Sequence, residues 1–434
     1  MRAALFATAQ ICLLMTAGHA AWGQSGVTFD FDDPPDTTHR LTDTLSYGAD
    51  VELEMRHERN FDLDKSVDDD ETSLEPTMDL AFTYQPNDMV RAFVDLELSK
   101  IFVVDSPDGS DSRDTKLEVK EANVTLREIY EGLSLQLGRQ QFQDELEWIY
   151  EDELDAARAY FRIGSVALEG SLSVQGDIDK DLFNDDDDDK FFNAFLVGHY
   201  TFTEDSGASL YFLLRDERED EHEDLYFLGA QAIGELAPDF DFWVNAAYVL
   251  GDRSSDNGSR DISGFGVDLI ATRAFDLPWE PSVTLGFAFG SGDDEPDKGT
   301  DNNFRQTGLQ ANNAEFNGVT RFQYYGEVLD PELSNLAVFT LGAGVRPSED
   351  SSIDLVYHYY RQHQAAGELR DSNLDAEPDG RHRELGHAVD LVFGFLEFES
   401  FSSELVVGAF FPGRAFESGA DNAYFAGLEF QYEF

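Results

Sequence analysis

The segment AYFAGLEFQYEF, Ala423 to Phe434, sorts its side chains by parity. Tyr424, Ala426, Leu428, Phe430, Tyr432 and Phe434 fall on one face, and Gly427, Glu429, Gln431 and Glu433 on the other. A period of two belongs to a strand, whose successive side chains point to opposite faces. The alternation returns in MVRAFVDLELSK, where Val90, Ala92, Val94, Leu96 and Leu98 oppose Arg91, Phe93, Asp95, Glu97 and Ser99. In PSVTLGFAFG, Val283, Leu285, Phe287 and Phe289 oppose Thr284, Gly286, Ala288 and Gly290. In DAARAYFRIG, Ala157, Ala159, Phe161 and Ile163 oppose Arg158, Tyr160 and Arg162. About eighteen such runs can be marked, each near the ~9–11 residues that a tilted strand needs to cross a bilayer. They fall at 45–57, 75–86, 89–100, 117–129, 132–140, 155–163, 165–176, 191–203, 207–215, 224–234, 238–250, 262–276, 281–291, 336–347, 351–362, 386–398, 403–412 and 422–434.

The connections between these runs alternate in length. ERNFDLDKSVDDDETSLE is long and QPND short; IFVVDSPDGSDSRDTK is long and YEG short; DEREDEHED is long and GELAPD short. Residues 291–335 and 363–385 form further long loops, while PSEDS and EFESFSSE are short. A soluble sandwich has no reason to sort its loops this way. A meandering outer-membrane barrel does, with short turns in the periplasm and long loops outside. A sheet in lipid must pair every backbone N–H and C=O, so it must close. The sequence therefore predicts an all-β transmembrane barrel of about 18 antiparallel strands in an up-and-down meander, with both termini on the periplasmic side. A barrel of that size has a lumen wide enough for water rather than one filled by side chains. Tyr47, Tyr84, Trp279 and Tyr432 near run ends suit interfacial girdles.

Composition sharpens this picture. The 434 residues carry 88 Asp and Glu against 30 Lys and Arg, a net charge of −58. Nucleic acid is thereby excluded as a partner, because its phosphates would be repelled. Disorder is disfavoured by an aromatic content of 13%. Many acidic residues sit in the long loops, as Asp185 to Asp189 do, which leaves the bilayer band apolar. Residues 1–23 read as a secretory signal peptide: Arg2, then a short apolar stretch from Leu5 to Met15, then small residues. Residues 24–44 form an N-terminal periplasmic segment and 45–434 the barrel. Cys12, the only cysteine, lies in the leader, so no disulfide is expected after export.

Enzymatic motifs are missing: there is no G-x-S-x-G, H-E-x-x-H or P-loop. His358, His363, His382 and His387 cluster only loosely, and NDDDDDK lacks the spacing of an ordered calcium loop. No catalytic residue, metal site or cofactor is assigned. What remains is transport. Charged side chains on inward faces set selectivity in pores. Arg91, Arg158 and Arg162 share inner parity on their strands, and Arg127 shares parity with Glu121, Asn123 and Thr125.

Several segments resemble the bacterial alginate export outer-membrane family. They are LSLQLGRQQFQDELEWIYEDELDAARA, the stretch from NFRQTGLQANNAEFNG to VYHYYRQ, ELGHAVDLVFG and VVGAFFPGRAF. The resemblance covers roughly residues 80 to 434. It implies an 18-stranded barrel passing an anionic polyuronate through a basic lumen. On that resemblance the family's basic-acidic pair falls on Lys120-Glu121, and the arginine of L-G-R-Q on Arg139. Arg139 shares parity with Leu135 and Leu137, and Arg361 with Leu355 and Tyr357. Each must therefore sit at a rim or be turned inward by a bulge. Gln141 replaces a basic residue of the family, and two expected lumenal arginines are Glu404 and Val406.

The expectation is an outer-membrane channel for passive export or diffusion of a polar solute, with an anionic exopolysaccharide such as alginate as the implied cargo. A general or cation-preferring porin and an outer-membrane hydrolase are the alternatives. Arg91, Lys120, Arg158, Arg162 and Arg321 are the expected lumenal cations, with Glu121 and Glu429 as carboxylate partners. Loop 291–335 is the candidate constriction. Expected partners are outer-membrane lipid and lipopolysaccharide, periplasmic export proteins, and the barrel-assembly machinery through Phe434.

Overall fold

A computed structural model describes residues 37–106, 113–184, 189–203, 206–218, 222–255, 258–295, 299–398 and 400–434. The signal-peptide reading and Asp185 to Asp188 of the acidic run lie outside the described residues.

Eighteen long strands follow one another around a single sheet. They are β1 (Leu45–Arg59), β2 (Glu71–Asn87), β3 (Val90–Lys100), β4 (Thr115–Tyr130), β5 (Leu133–Gln143) and β6 (Glu151–Ile163). Then come β7 (Val166–Gln175), β8 (Phe191–Thr203), β9 (Ser206–Glu217), β10 (His222–Ala237), β11 (Phe240–Ser255) and β12 (Gly258–Ala274). The last are β13 (Ser282–Gly290), β14 (Leu336–Ser348), β15 (Ser351–Gln362), β16 (Glu384–Phe398), β17 (Phe401–Pro412) and β18 (Ala423–Glu433). Each pairs antiparallel with its neighbour in sequence. β18 closes on β1 from Asp50 opposite Glu433 to Arg59 opposite Tyr424. That seam removes the sheet edges that lipid could not satisfy.

The parity read from sequence holds around the wall. Leu172, Leu196, Leu210, Leu228, Leu285 and Tyr432 point outward and are exposed on the isolated chain, as a lipid-facing surface requires. Pro76 sits inside β2 without breaking the wall, because the pairing on that side is interrupted there. Leu74 pairs with Phe102 of the short extension Phe102–Asp105, and Thr77 with Ser99 of β3.

Two expectations change. The described parts of the acidic stretches 216–224 and 251–261 are largely strand, not loop. Asp216 pairs with Asp224, and Asp252 with Asp261, so these hairpins continue their ladders into water. Nor is the lumen bounded by strand side chains alone. Residues 301–335 fold back inside the barrel, where most of them are buried. A second segment, 144–150, meets them there. The apolar core of the molecule is therefore inside the cylinder, built from Trp148, Trp243, Phe304, Phe316, Tyr324 and Tyr325.

Candidate functional site

The returning loop is seated against glycines. The inward positions of β12, β13, β16 and β17 include Gly264, Gly266, Gly290, Gly394 and Gly408. A Cβ at Gly264 would lie 2.6 Å from Asn303 O, and one at Gly290 2.2 Å from Leu333 O. At Gly394 it would lie 2.6 Å from Thr320 Cγ2. Bare backbone on this half of the wall leaves room for the loop.

Polar contacts then lock the loop. Trp148 Nε1 donates to Tyr325 OH at 3.1 Å, and Tyr360 OH donates to Tyr325 O at 2.7 Å. Ala311 N and Asn312 N both donate to Glu147 O at 3.0 Å. Trp148 stacks on Phe304 with ring centroids 6.2 Å apart, and Trp243 meets Tyr324 edge-on at 5.7 Å. Arg321 Nη2 donates to Glu145 O at 3.0 Å and Asn313 O at 2.7 Å, and lies 3.0 Å from Glu147 Oε1. It therefore ties segment 144–150 to the loop. Nearer the outside, Arg305 Nε lies 2.9 Å and Arg370 Nη2 3.2 Å from the Glu223 carboxylate. Arg370 also reaches Glu332 at 2.6 Å. Burial pushes the Glu145 carboxyl up to about 6 and Asp330 up to about 7.

The opposite half of the wall is charged. Inward positions of β1 carry Asp50, Glu52, Glu54, Arg56 and Glu58 at every second residue. Glu433 pairs with Asp50, Asp50 with Asp79, Asp79 with Glu97, and Glu97 with Glu118. A second row runs from Glu75 to Glu54, Glu429 and Glu404. A cavity between this wall and the loop is lined by Glu54, Glu327, Glu404, Glu429, Arg321 and Gln323, among others.

The expected cations are distributed as follows. Lys120 is the extra residue of a bulge: Asp95 pairs with Glu121 and Leu96 with Val119. The bulge lets adjacent Lys120 and Glu121 both turn inward. Lys120 Nζ lies 2.9 Å from Glu153 Oε1 and 3.7 Å from Glu97 Oε2, while Glu121 accepts from Asn123 Nδ2 at 2.9 Å. Arg158 is 2% exposed; it pairs with Glu169 at 2.7 Å and lies over the Phe142 ring at 4.1 Å. Arg91 is buried opposite Thr125, and Arg127 is half-buried near the same periplasmic end. Arg162 keeps inner parity but is exposed at the β6–β7 turn.

Arg139 is placed by a wall defect rather than at an open rim. Gly138 adopts φ of 117°, and the β4–β5 ladder ends where Ala122 meets Arg139. Segment 178–183 fills the gap, with Val119 N donating to Lys180 O and Leu182 N to Leu117 O. Arg139 Nη2 donates to Asp155 Oδ2 at 2.6 Å and Ile178 O at 2.8 Å. Arg361 stays on the outward face at the end of β15, exposed, because the register shift between Tyr360 and Arg361 puts the extra residue, Leu385, on β16 and leaves the parity of β15 unchanged. Glu429 and Glu404 face each other across β17–β18 rather than a cation. The four histidines are dispersed: His358 is buried inward, where Thr340 shares a 3.0 Å hydrogen bond with its Nδ1, while His387 meets the outward Tyr357. Among the described residues, no three His, Cys, Asp or Glu converge as metal ligands. The glycine seat and the Glu223 hub escaped sequence reasoning. The seat had a visible signal: inner-parity glycines concentrated on β12 to β17.

Comparison with known proteins agrees with this architecture. Solved structures of Pseudomonas aeruginosa OccK7 (OpdD) and Acinetobacter baumannii OccAB4 share the fold with TM-scores of 0.58 and 0.57. Identity is 11% and 10%; the matches cover 91% and 93% of this chain and 99% and 100% of theirs. The alginate production protein AlgE of Pseudomonas aeruginosa is 29% identical over 231 residues, covering 46% of either chain. That of Azotobacter vinelandii is 31% identical over 191 residues, covering 37% of either chain. The matched stretches thus span less than half the length of these relatives. The model of the alginate export family matches residues 43–425, nearly the whole barrel, and the chain belongs to that family.

Proposed function

We propose that the chain is a passive outer-membrane channel that moves a polar saccharide or similar solute between periplasm and exterior. The observation that carries the proposal is the two-sided lumen: a closed barrel with a loop seated on glycines along one half, facing a wall of ionisable side chains. Such a wall must be wetted, because carboxylates buried dry would cost several kcal/mol each. The curated relatives carry the name alginate production protein, which makes a glycan the cargo class to try first. Arg91 and Lys120 would position solute hydroxyls from the wall and Arg321 from the loop, while Arg158, buried against Glu169, would brace the wall behind them. Arg162 and Arg127 would act at the periplasmic mouth. Transport of this kind needs no cofactor and no covalent step.

Proteoliposomes holding the full chain test it. They should release encapsulated neutral oligosaccharides faster than protein-free vesicles. Release no faster than from protein-free vesicles would overturn the proposal.

A further inference from the structure

The charged half of the wall carries a finer statement about cargo, which rests on the channel reading above. Directly opposed like charges on neighbouring strands are destabilising. Here they extend over whole rows. Glu433, Asp50, Asp79, Glu97 and Glu118 lie at one level across β18, β1, β2, β3 and β4. Glu75, Glu54, Glu429 and Glu404 lie at another, across β2, β1, β18 and β17. Strand β1 crosses both rows, with Asp50, Glu52 and Glu54 rising ~6.6–6.8 Å per step.

Among the described residues, ion pairs reach only part of this surface. Lys120 answers Glu97, Lys116 lies 3.5 Å from Glu118, and Arg56 lies 3.6 Å from Glu54. A separate observation points to something that visits. Glu404 is 7% exposed, lines the cavity beside Glu54 and Glu429, and its Oε2 accepts no hydrogen bond among the described residues. A buried carboxylate oxygen left unpartnered is costly unless the carboxyl takes a proton or a donor or positive group reaches it, and a passing cation is one such group. The carboxylates are spread along the wall and do not converge, which fits ions or ammonium groups passing from one to the next rather than a chelated metal.

We propose that these rows form a cation track, so that the channel favours positively charged solutes and turns away free polyuronate. The cargo class is then inorganic cations and saccharides bearing ammonium groups. Two negative charges ~4 Å apart repel even in water, and the repulsion grows in a narrow lumen. A polymer with about one carboxylate per sugar would meet it at every step.

Planar bilayers with the full chain and a KCl gradient decide the point. The reversal potential should report K+ favoured over Cl− by about fivefold or more. The Glu54→Gln/Glu404→Gln/Glu429→Gln variant should lose most of that preference while still conducting. Asp79→Asn/Glu97→Gln, on the other row, should lower it independently. Polyuronate oligomers should leave the current unchanged. Conductance with anion preference, preference unchanged in both variants, or block by polyuronate would overturn the cation track and leave the channel reading standing. No conductance from the wild-type chain would overturn both.

Discussion

Gly290 sits where a side chain would strike Leu333 O, a backbone atom that cannot turn aside. Gly290→Val should therefore lift the loop from its seat at a cost of about 1–3 kcal/mol, as overpacking does. The check is limited proteolysis, with cleavage within 302–335 appearing at protease levels that leave the wild type intact. Arg158 gives the complementary case. It is buried against Glu169 with 2.7 Å between charged atoms. Arg158→Met would strand that carboxylate and should destabilise the barrel by about 3–5 kcal/mol. Adding Glu169→Leu should restore most of the loss, because an apolar pair can replace a buried ion pair. The temperature at which the folded gel band converts to the unfolded one reads both. Residues such as these were only half legible. Parity alone put Arg158 inside and Arg361 on the outer face. The fate of Arg139 depended on Gly138 and on a distant segment closing a gap, which no local pattern encodes.

Individual strands were the most legible elements. β8 and β15 begin and end at the residues where alternation begins and ends, Phe191–Thr203 and Ser351–Gln362. Period two is enforced by lipid on one side and water on the other, so it survives in the sequence. The loop is different. Its seat is written as missing side chains on other strands, and its aromatic contacts span up to 177 positions, as between Trp148 and Tyr325. Its carboxyls give it a pH dependence. Burial holds Asp330 up at about 7 from an ordinary 3.8, and raises Glu332 and Glu327 as well. Raised carboxyls bind more protons in the seated loop than in a free one, so seating is favoured at low pH. That advantage is lost as pH climbs from about 4 to about 7. The loop should be more protease-sensitive at pH 8 than at pH 5, and Asp330→Asn should reduce the difference. A loop equally resistant at both values would remove this account of Asp330.

At the scale of the whole molecule, charge and architecture are separable. The net charge of −58 does not disturb the fold, because outward strand faces are apolar and the carboxylates lie in water-facing rows and outer hairpins. Strand number, closure and family were readable from alternation, loop rhythm and a few motifs. The character of the lumen was not. Its two halves arise from register between strands far apart in sequence, as when Glu54 of β1 meets Glu429 of β18. The measurement that bears most directly on a closed barrel narrowed from within is single-channel conductance, comparing the full chain with a variant in which residues 302–334 are replaced by a short Gly-Ser linker. The account predicts discrete steps for the full chain and steps several-fold larger for the variant, since the obstruction is gone while the wall remains. Equal steps from the two, or none from either, would contradict it.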